Sequence, residues 1–89
     1  MLEDPVMLIH SPRELALLVV SQRKKLMLSQ KDVGKLAGVK QQTISDFENR
    51  PDTTRLKTLF RILSAVKLEI KLSGTDNTSS THTQWKEEW

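Results

Sequence analysis

Eighty-nine residues make one small domain, with no material for a second independent core. No cysteine is present, which excludes disulfides and thiolate metal sites, and the two histidines, His10 and His82, stand too far apart in sequence to suggest a metal or catalytic pair. The formal charge of +3 divides into +5 over residues 1–73 (13 basic, 8 acidic) and −2 over residues 74–89, so a basic body, suited to a polyanion or simply lysine-rich and solvated, carries a slightly acidic end.

Residues 1–10 give no clear element and read as an N-terminal arm. Met1 is followed by Glu3 and Asp4, which is not the basic–apolar pattern of a leader peptide, and a cytoplasmic setting is expected. Ser11-Pro12-Arg13-Glu14 then reads as a helix start: Ser11 as N-cap, Pro12 at the first helical position, and Glu14 completing a capping box. Leu15, Leu18, Val19, Gln22 and Leu26 follow at helical spacing, giving a first helix over roughly residues 12–26. Its apolar run Leu15 to Val20 is too short to cross a membrane, and no membrane contact is expected. Arg23-Lys24-Lys25 at its end suits the negative pole of the helix dipole.

Ser29 opens a second helix, with Asp32 three residues on as a weaker capping box. Val33, Leu36 and Ala37 are its expected buried face, and Gly38 its stop. Gly34 inside it costs about 1 kcal/mol relative to alanine, a cost that close approach by another helix would offset. A third helix spans Val39 to Asn49. The gap of about three residues between the two is the turn length of a helix-turn-helix.

Asn49-Arg50-Pro51-Asp52 breaks the third helix. Thr53 or Thr54 is the expected cap of a fourth, with Leu56, Leu59, Phe60, Leu63 and Val66 in its apolar row. The period then changes to two. Val66, Leu68, Ile70 and Leu72 alternate with Lys67, Glu69 and Lys71, a half-buried strand over about residues 66–73. A lone strand leaves unpaired backbone on both edges, and the same strand of a second copy would complete it, giving a two-fold dimer. Residues 74–89 are too polar to fold and read as a disordered tail, although they hold Trp85 and Trp89, half of the chain's aromatic residues.

The chemistry is concentrated in residues 40–49. On a helix, Ile44 and Phe47 share one side, Gln42, Ser45, Asp46 and Asn49 lie opposite, and Lys40, Gln41 and Thr43 lie between or at the start. A helix in a DNA major groove reads bases chiefly with its N-terminal residues. Glutamine pairs with adenine N6 and N7, and serine or threonine bonds several base edges or a phosphate. The preceding helix would cross the backbone, with Gln30, Lys31 and the free N–H groups at its start facing phosphate. The competing reading is that both helices merely pack, with their polar faces wet.

"LSQKDVGKLAGVKQQTISDFEN" resembles the helix-turn-helix of the Cro/C1-type repressor superfamily at Ser29-Gln30, Gly34, Gly38-Val39, Thr43-Ile44-Ser45 and Glu48-Asn49. "SPRELALLV" before it, "RPDTTRLKTLFRILSAVKLEIKL" after it and the terminal "EEW" narrow the resemblance to HipB-type antitoxins, over residues 11–73 plus the end of the chain. The resemblance implies a mostly α, four- to five-helix lambda-repressor-like domain and a homodimer paired through Leu68, Ile70 and Leu72. It implies repression of the chain's own operon at palindromic operator DNA, and tight association with a HipA-type serine/threonine kinase toxin. Lys40, Gln41, Gln42, Thr43 and Ser45 would then face bases or adjacent phosphates, and Gln30 and Lys31 would hold the backbone. No catalysis, metal or cofactor is implied for this chain.

Two residues depart from the pattern. Lys40 stands where the wider superfamily has a serine or threonine cap. Asp46 puts a carboxylate on the exposed face, where it would accept from cytosine N4, pair with Arg50, or lie outside the groove. A stand-alone repressor and a protein-only kinase inhibitor remain as alternatives, whereas no phosphate loop or nucleophile motif supports an enzyme. The tail is either an inert end or a segment recognised by the toxin or a protease, with Trp85 and Trp89 as anchors.

Overall fold

The computed structural model describes residues 7–74. Four helices follow in order: α1 (Pro12–Lys25), α2 (Gln30–Ala37), α3 (Gln41–Asn49) and α4 (Leu56–Ala65), with a 3-10 turn at Pro51–Thr53 between the last two. Residues 1–6 of the expected arm (1–10), and residues 75–89 of the expected tail (74–89) with Trp85 and Trp89, lie outside the described residues.

Each helix contributes side chains to one core. Ala16 and Val19 come from α1, Val33 and Ala37 from α2, Ile44 and Phe47 from α3, and Ile62 and Leu63 from α4, with Val66 just beyond it. Each buried valine, leucine or isoleucine of this set stabilises the fold by about 1.5–3 kcal/mol. The core residues of α2 and α3 are few because both helices are short. Apart from Leu36, their outer faces are left mainly to polar side chains.

The helix starts follow the sequence only in part. Ser29 and Asp32 form a complete capping box: Ser29 Oγ accepts from Asp32 N–H at 3.0 Å, and Asp32 Oδ2 accepts from Ser29 N–H at 2.8 Å. At α1 only half of the expected box exists. Ser11 Oγ accepts from Glu14 N–H, but the Glu14 carboxylate reaches one residue further back, to the His10 N–H at 2.6 Å. Neither Thr53 nor Thr54 caps α4. Arg55 holds the capping position with no side-chain bond, and Thr53 Oγ1 instead donates to the Arg50 carbonyl.

Three helix ends share one construction. After α1, Met27 N–H donates to Lys24 O and Leu28 N–H to Arg23 O; after α4, Lys67 N–H donates to Ser64 O and Leu68 N–H to Leu63 O. After α2 the same pair runs from Gly38 to Lys35 O and from Val39 to Gly34 O. Each is a Schellman motif, which requires a left-handed residue and seats an apolar one after it. The left-handed positions are Met27 (φ 60°), Gly38 (φ 76°) and Lys67 (φ 61°). Leu28, Val39 and Leu68 are the half-buried residues that follow.

Three apolar expectations change. Leu36, placed on the buried face of α2, is 62% exposed. Leu56 and Phe60, placed in the apolar row of α4, are also mostly exposed, and Ile62 takes a core position that the row did not include. Val66, placed both in that apolar row and at the start of the strand, takes the first role and closes the core at the end of α4. Residues 68–74 form no ladder within the described residues, with Leu68 half-buried and Ile70 and Leu72 exposed. The expected strand pairs with a second copy, so one chain does not test it.

Candidate nucleic-acid interface

The turn between α2 and α3 is built on two glycines. Gly38 supplies the left-handed residue that ends α2. Gly34 lets the turn pass directly over α2: a Cβ there would lie 2.9 Å from the Val39 carbonyl oxygen and 3.3 Å from the Gln41 nitrogen. The close approach expected at Gly34 is therefore real, and its partner is the backbone of the turn.

Lys40 is extended (φ −77°, ψ 154°) and starts α3 without a side-chain cap. Its carbonyl accepts from the N–H of Thr43 at 2.9 Å and of Ile44 at 3.4 Å. The N–H groups of Gln41 and Gln42 thus have no capping side chain, and the positive end of α3 is left to meet a ligand. Lys40, Gln41 and Gln42 are exposed there, and Thr43 and Ser45 are half-buried behind them. Asn49 Nδ2 donates to Ser45 Oγ at 3.2 Å, so the Ser45 hydroxyl proton remains free to donate elsewhere. Gln42 Nε2 donates to Asp46 Oδ1 at 2.9 Å. Asp46 is thus partnered by Gln42 and not by the expected Arg50.

At the start of α2, Lys31 is exposed, as a phosphate contact requires. Gln30 is placed differently. It is half-buried, and its Nε2 donates to Glu48 Oε1 at 2.9 Å, so only its second N–H is left to reach outward. Glu48 is the hub of a clamp that sequence reasoning missed. Arg23 of α1 grips it through Nε and Nη2 at 2.8 and 3.1 Å, and Arg23 Nη1 also donates to Leu28 O. Arg13 reaches the end of α3, donating to the carbonyls of Glu48 and Asn49. Gln22 Nε2 donates to Val66 O at 3.0 Å, tying α1 to the end of α4. No local pattern in the sequence signals a partnership across 25 residues.

The capping box holds the Asp32 carboxyl below its usual range, first through the Ser29 N–H and then through the Ser29 side chain, with Lys35 and Lys31 adding to the effect. Asp32 therefore stays charged at neutral pH. Lys31 and Lys35 flank that charge, which leaves the mouth of α2 of mixed sign.

The arrangement is a two-helix unit with a short polar helix presented at a fixed angle. Residues 20–72 match the family model described as helix-turn-helix. Antitoxin HipB of Escherichia coli strain K12 is 39% identical over 82 residues, which is 91% of this chain and 93% of that protein. Antitoxin HipB of Escherichia coli O6:H1 is 41% identical over 71 residues, 80% of this chain and 76% of that one. Among solved structures, the HipA-HipB-O2-O3 complex contains a chain that superposes with a TM-score of 0.76 at 39% identity, covering 80% of this chain and all of that one. The HipB-O4 20mer complex gives 0.75 at 38% identity with the same coverage. With its two-helix core matched and its relatives aligned over most of their length, this chain belongs to the HipB antitoxins of the helix-turn-helix family.

Proposed function

We propose that this chain is a dimeric, sequence-specific DNA-binding antitoxin that represses its own toxin–antitoxin operon and restrains a HipA-type serine/threonine kinase by binding it. The observation that carries the DNA reading is the uncapped start of α3, with Lys40, Gln41 and Gln42 exposed on a helix whose angle is set by Gly34, Gly38 and the Glu48 clamp. Gln41 and Gln42 read base edges, Lys40, Thr43 and Ser45 bond bases or adjacent phosphates, and Lys31 holds the backbone. Gln30 serves mainly by bracing Glu48 and offers its remaining N–H to the same phosphate.

The toxin partner is supported by relatives named as antitoxins and by a related chain solved with HipA. The chain's own part is binding rather than catalysis, in a cytoplasmic setting where the operon is accessible. Among the described residues no helix is long and apolar enough to cross a membrane.

Binding to a duplex taken from upstream of the chain's own gene tests the reading. Gln41→Ala should weaken it by about 1–3 kcal/mol and relax preference at one base position. Lys31→Ala should weaken binding to all sequences alike and reduce the salt slope by about one unit. Equal loss for Gln41→Ala on random DNA would overturn base reading by that residue.

A further inference from the structure

Asp46 is a carboxylate on the face of α3 that carries the base-reading side chains, and it bonds one of them. Gln42 Nε2 donates to Asp46 Oδ1 at 2.9 Å, one helical turn away. A carboxylate only accepts, so of the two ends of the Gln42 amide it must meet the nitrogen. That fixes which way round the amide lies, a choice an unpartnered glutamine leaves open. With Nε2 committed on one side, Oε1 is held on the other, and the second N–H lies between. Gln42 is exposed and otherwise unpartnered among the described residues, so this bond alone decides what it presents.

We infer that Asp46 is the positioning residue for base selection at Gln42, locking its amide so that Oε1 faces a base carrying an amino donor in the major groove. Adenine N6 and cytosine N4 are such donors, and adenine N7 also takes the second N–H. Guanine and thymine offer carbonyl oxygens at the same edge, which meet the fixed Oε1 with like polarity. The Asp46 charge adds to this, because it repels base acceptors and phosphates alike. The pair thus trades affinity for discrimination, with the cost carried by Asp46 and the benefit delivered through Gln42. The inference rests on the DNA-binding reading above.

The test uses the full chain and a library of 20-bp duplexes with a randomised centre, selected and sequenced for the parent, Asp46→Asn, Gln42→Ala and the double variant. Asparagine keeps the size of Asp46 and a possible bond, but removes the rule that the nitrogen must face it. The expected result is a preference for adenine or cytosine at one position of each half-site in the parent, reduced at least about fivefold in Asp46→Asn. Affinity for random DNA should rise in the same variant. In the double variant the loss at that position should equal that of Gln42→Ala alone. Unchanged thermal melting excludes a merely structural role. An Asp46→Asn profile that keeps the parent preference overturns the inference while leaving the DNA reading intact. A parent that selects no sequence overturns both.

Discussion

Arg23 and Glu48 form a two-pronged ion pair between α1 and α3, at 2.8 and 3.1 Å, with side chains only 12% and 7% exposed. Glu48 lies near the end of α3, the helix with the exposed polar face, so this pair fixes that helix against the body. Removing one partner strands the other charge in a mostly dry site, which costs about 3–5 kcal/mol. Arg23→Met should therefore lower stability by an amount comparable to much of the total for a domain this size. Arg23→Met combined with Glu48→Leu should lose less than Arg23→Met alone, because no charge is left unpaired. Urea denaturation of the three proteins measures this, and a double variant less stable than the single would contradict it.

The two glycines of the turn do different work, and alanine separates them. At Gly38 a Cβ meets nothing within 4 Å, so Gly38→Ala suffers only left-handed strain of about 1–2 kcal/mol. At Gly34 the new methyl pushes on backbone at 2.9 Å, which no side-chain rotation relieves. The better helix propensity of alanine returns about 1 kcal/mol, against an overpacking cost of about 1–3 kcal/mol. Gly34→Ala should thus change stability modestly but displace the start of α3 and weaken DNA binding. Gly38→Ala should lower the melting temperature with less effect on DNA binding per unit of stability lost. Parallel melting and binding measurements on both variants decide it.

Met27 and Lys67 hold left-handed positions that glycine fills at the end of α2. Met27 is 88% exposed, so its side chain offers little packing to lose. Replacing it by glycine removes strain of about 1–2 kcal/mol and gives back part of that as unfolded-state entropy. Met27→Gly and Lys67→Gly should each raise stability by up to about 1 kcal/mol, equivalent to a melting-point gain of about 4–8 °C. A fall in melting temperature for both would show that the turns are relaxed as they stand.

Much of this architecture was legible because it is local. Ser29 with Asp32, Pro12 behind Ser11, and Gly38 are single-residue or short-range solutions to problems at helix ends, and their residue types announce them. The two Schellman ends at Met27 and Lys67 were invisible because the residues there do not advertise a positive φ. Periodicity assigned Leu36, Leu56 and Phe60 to the core because it tells which residues share a face but not what covers that face. The Arg23–Glu48 clamp is long-range and had no local signal. The Gln42–Asp46 bond does have one that the sequence reading leaves unused: glutamine and aspartate four apart on a helix are neighbours, so the spacing alone offers the carboxylate a partner.

The capping box at α2 makes part of the stability pH-dependent. The Asp32 carboxyl titrates below its usual range in the fold, held there by the Ser29 N–H and side chain. Its stabilising contribution is complete above the carboxyl's ordinary range and is lost as pH falls through the depressed folded value. Melting of the parent should therefore drop between neutral and acid pH by more than that of Asp32→Asn, which has no charge to lose. On the proposed phosphate contact at the start of α2, the variant should also weaken DNA binding slightly through fraying, while relief of one negative charge acts the other way. Equal acid sensitivity of the two proteins would remove Asp32 as a contributor.

Leu56 and Phe60 sit one turn apart on α4 with more than half their surface exposed, and Ile70 and Leu72 follow on a segment with no backbone partner among the described residues. A single chain leaves both the apolar side chains and the backbone groups of 69–74 without partners, and pairing two such segments satisfies both at once. Proline lacks the donor that a ladder needs and fixes φ near −65°, so it breaks pairing wherever its N–H was used. Ile70→Pro should convert a dimer to a monomer in sedimentation while leaving the α1–α4 core folded, because Ile70 is not part of that core. Operator affinity should fall steeply as two linked half-site contacts become one. A variant that sediments as the parent does, with operator binding unchanged, would refute pairing through this segment, and Phe60→Asp would then test whether the face of α4 alone holds the two copies together.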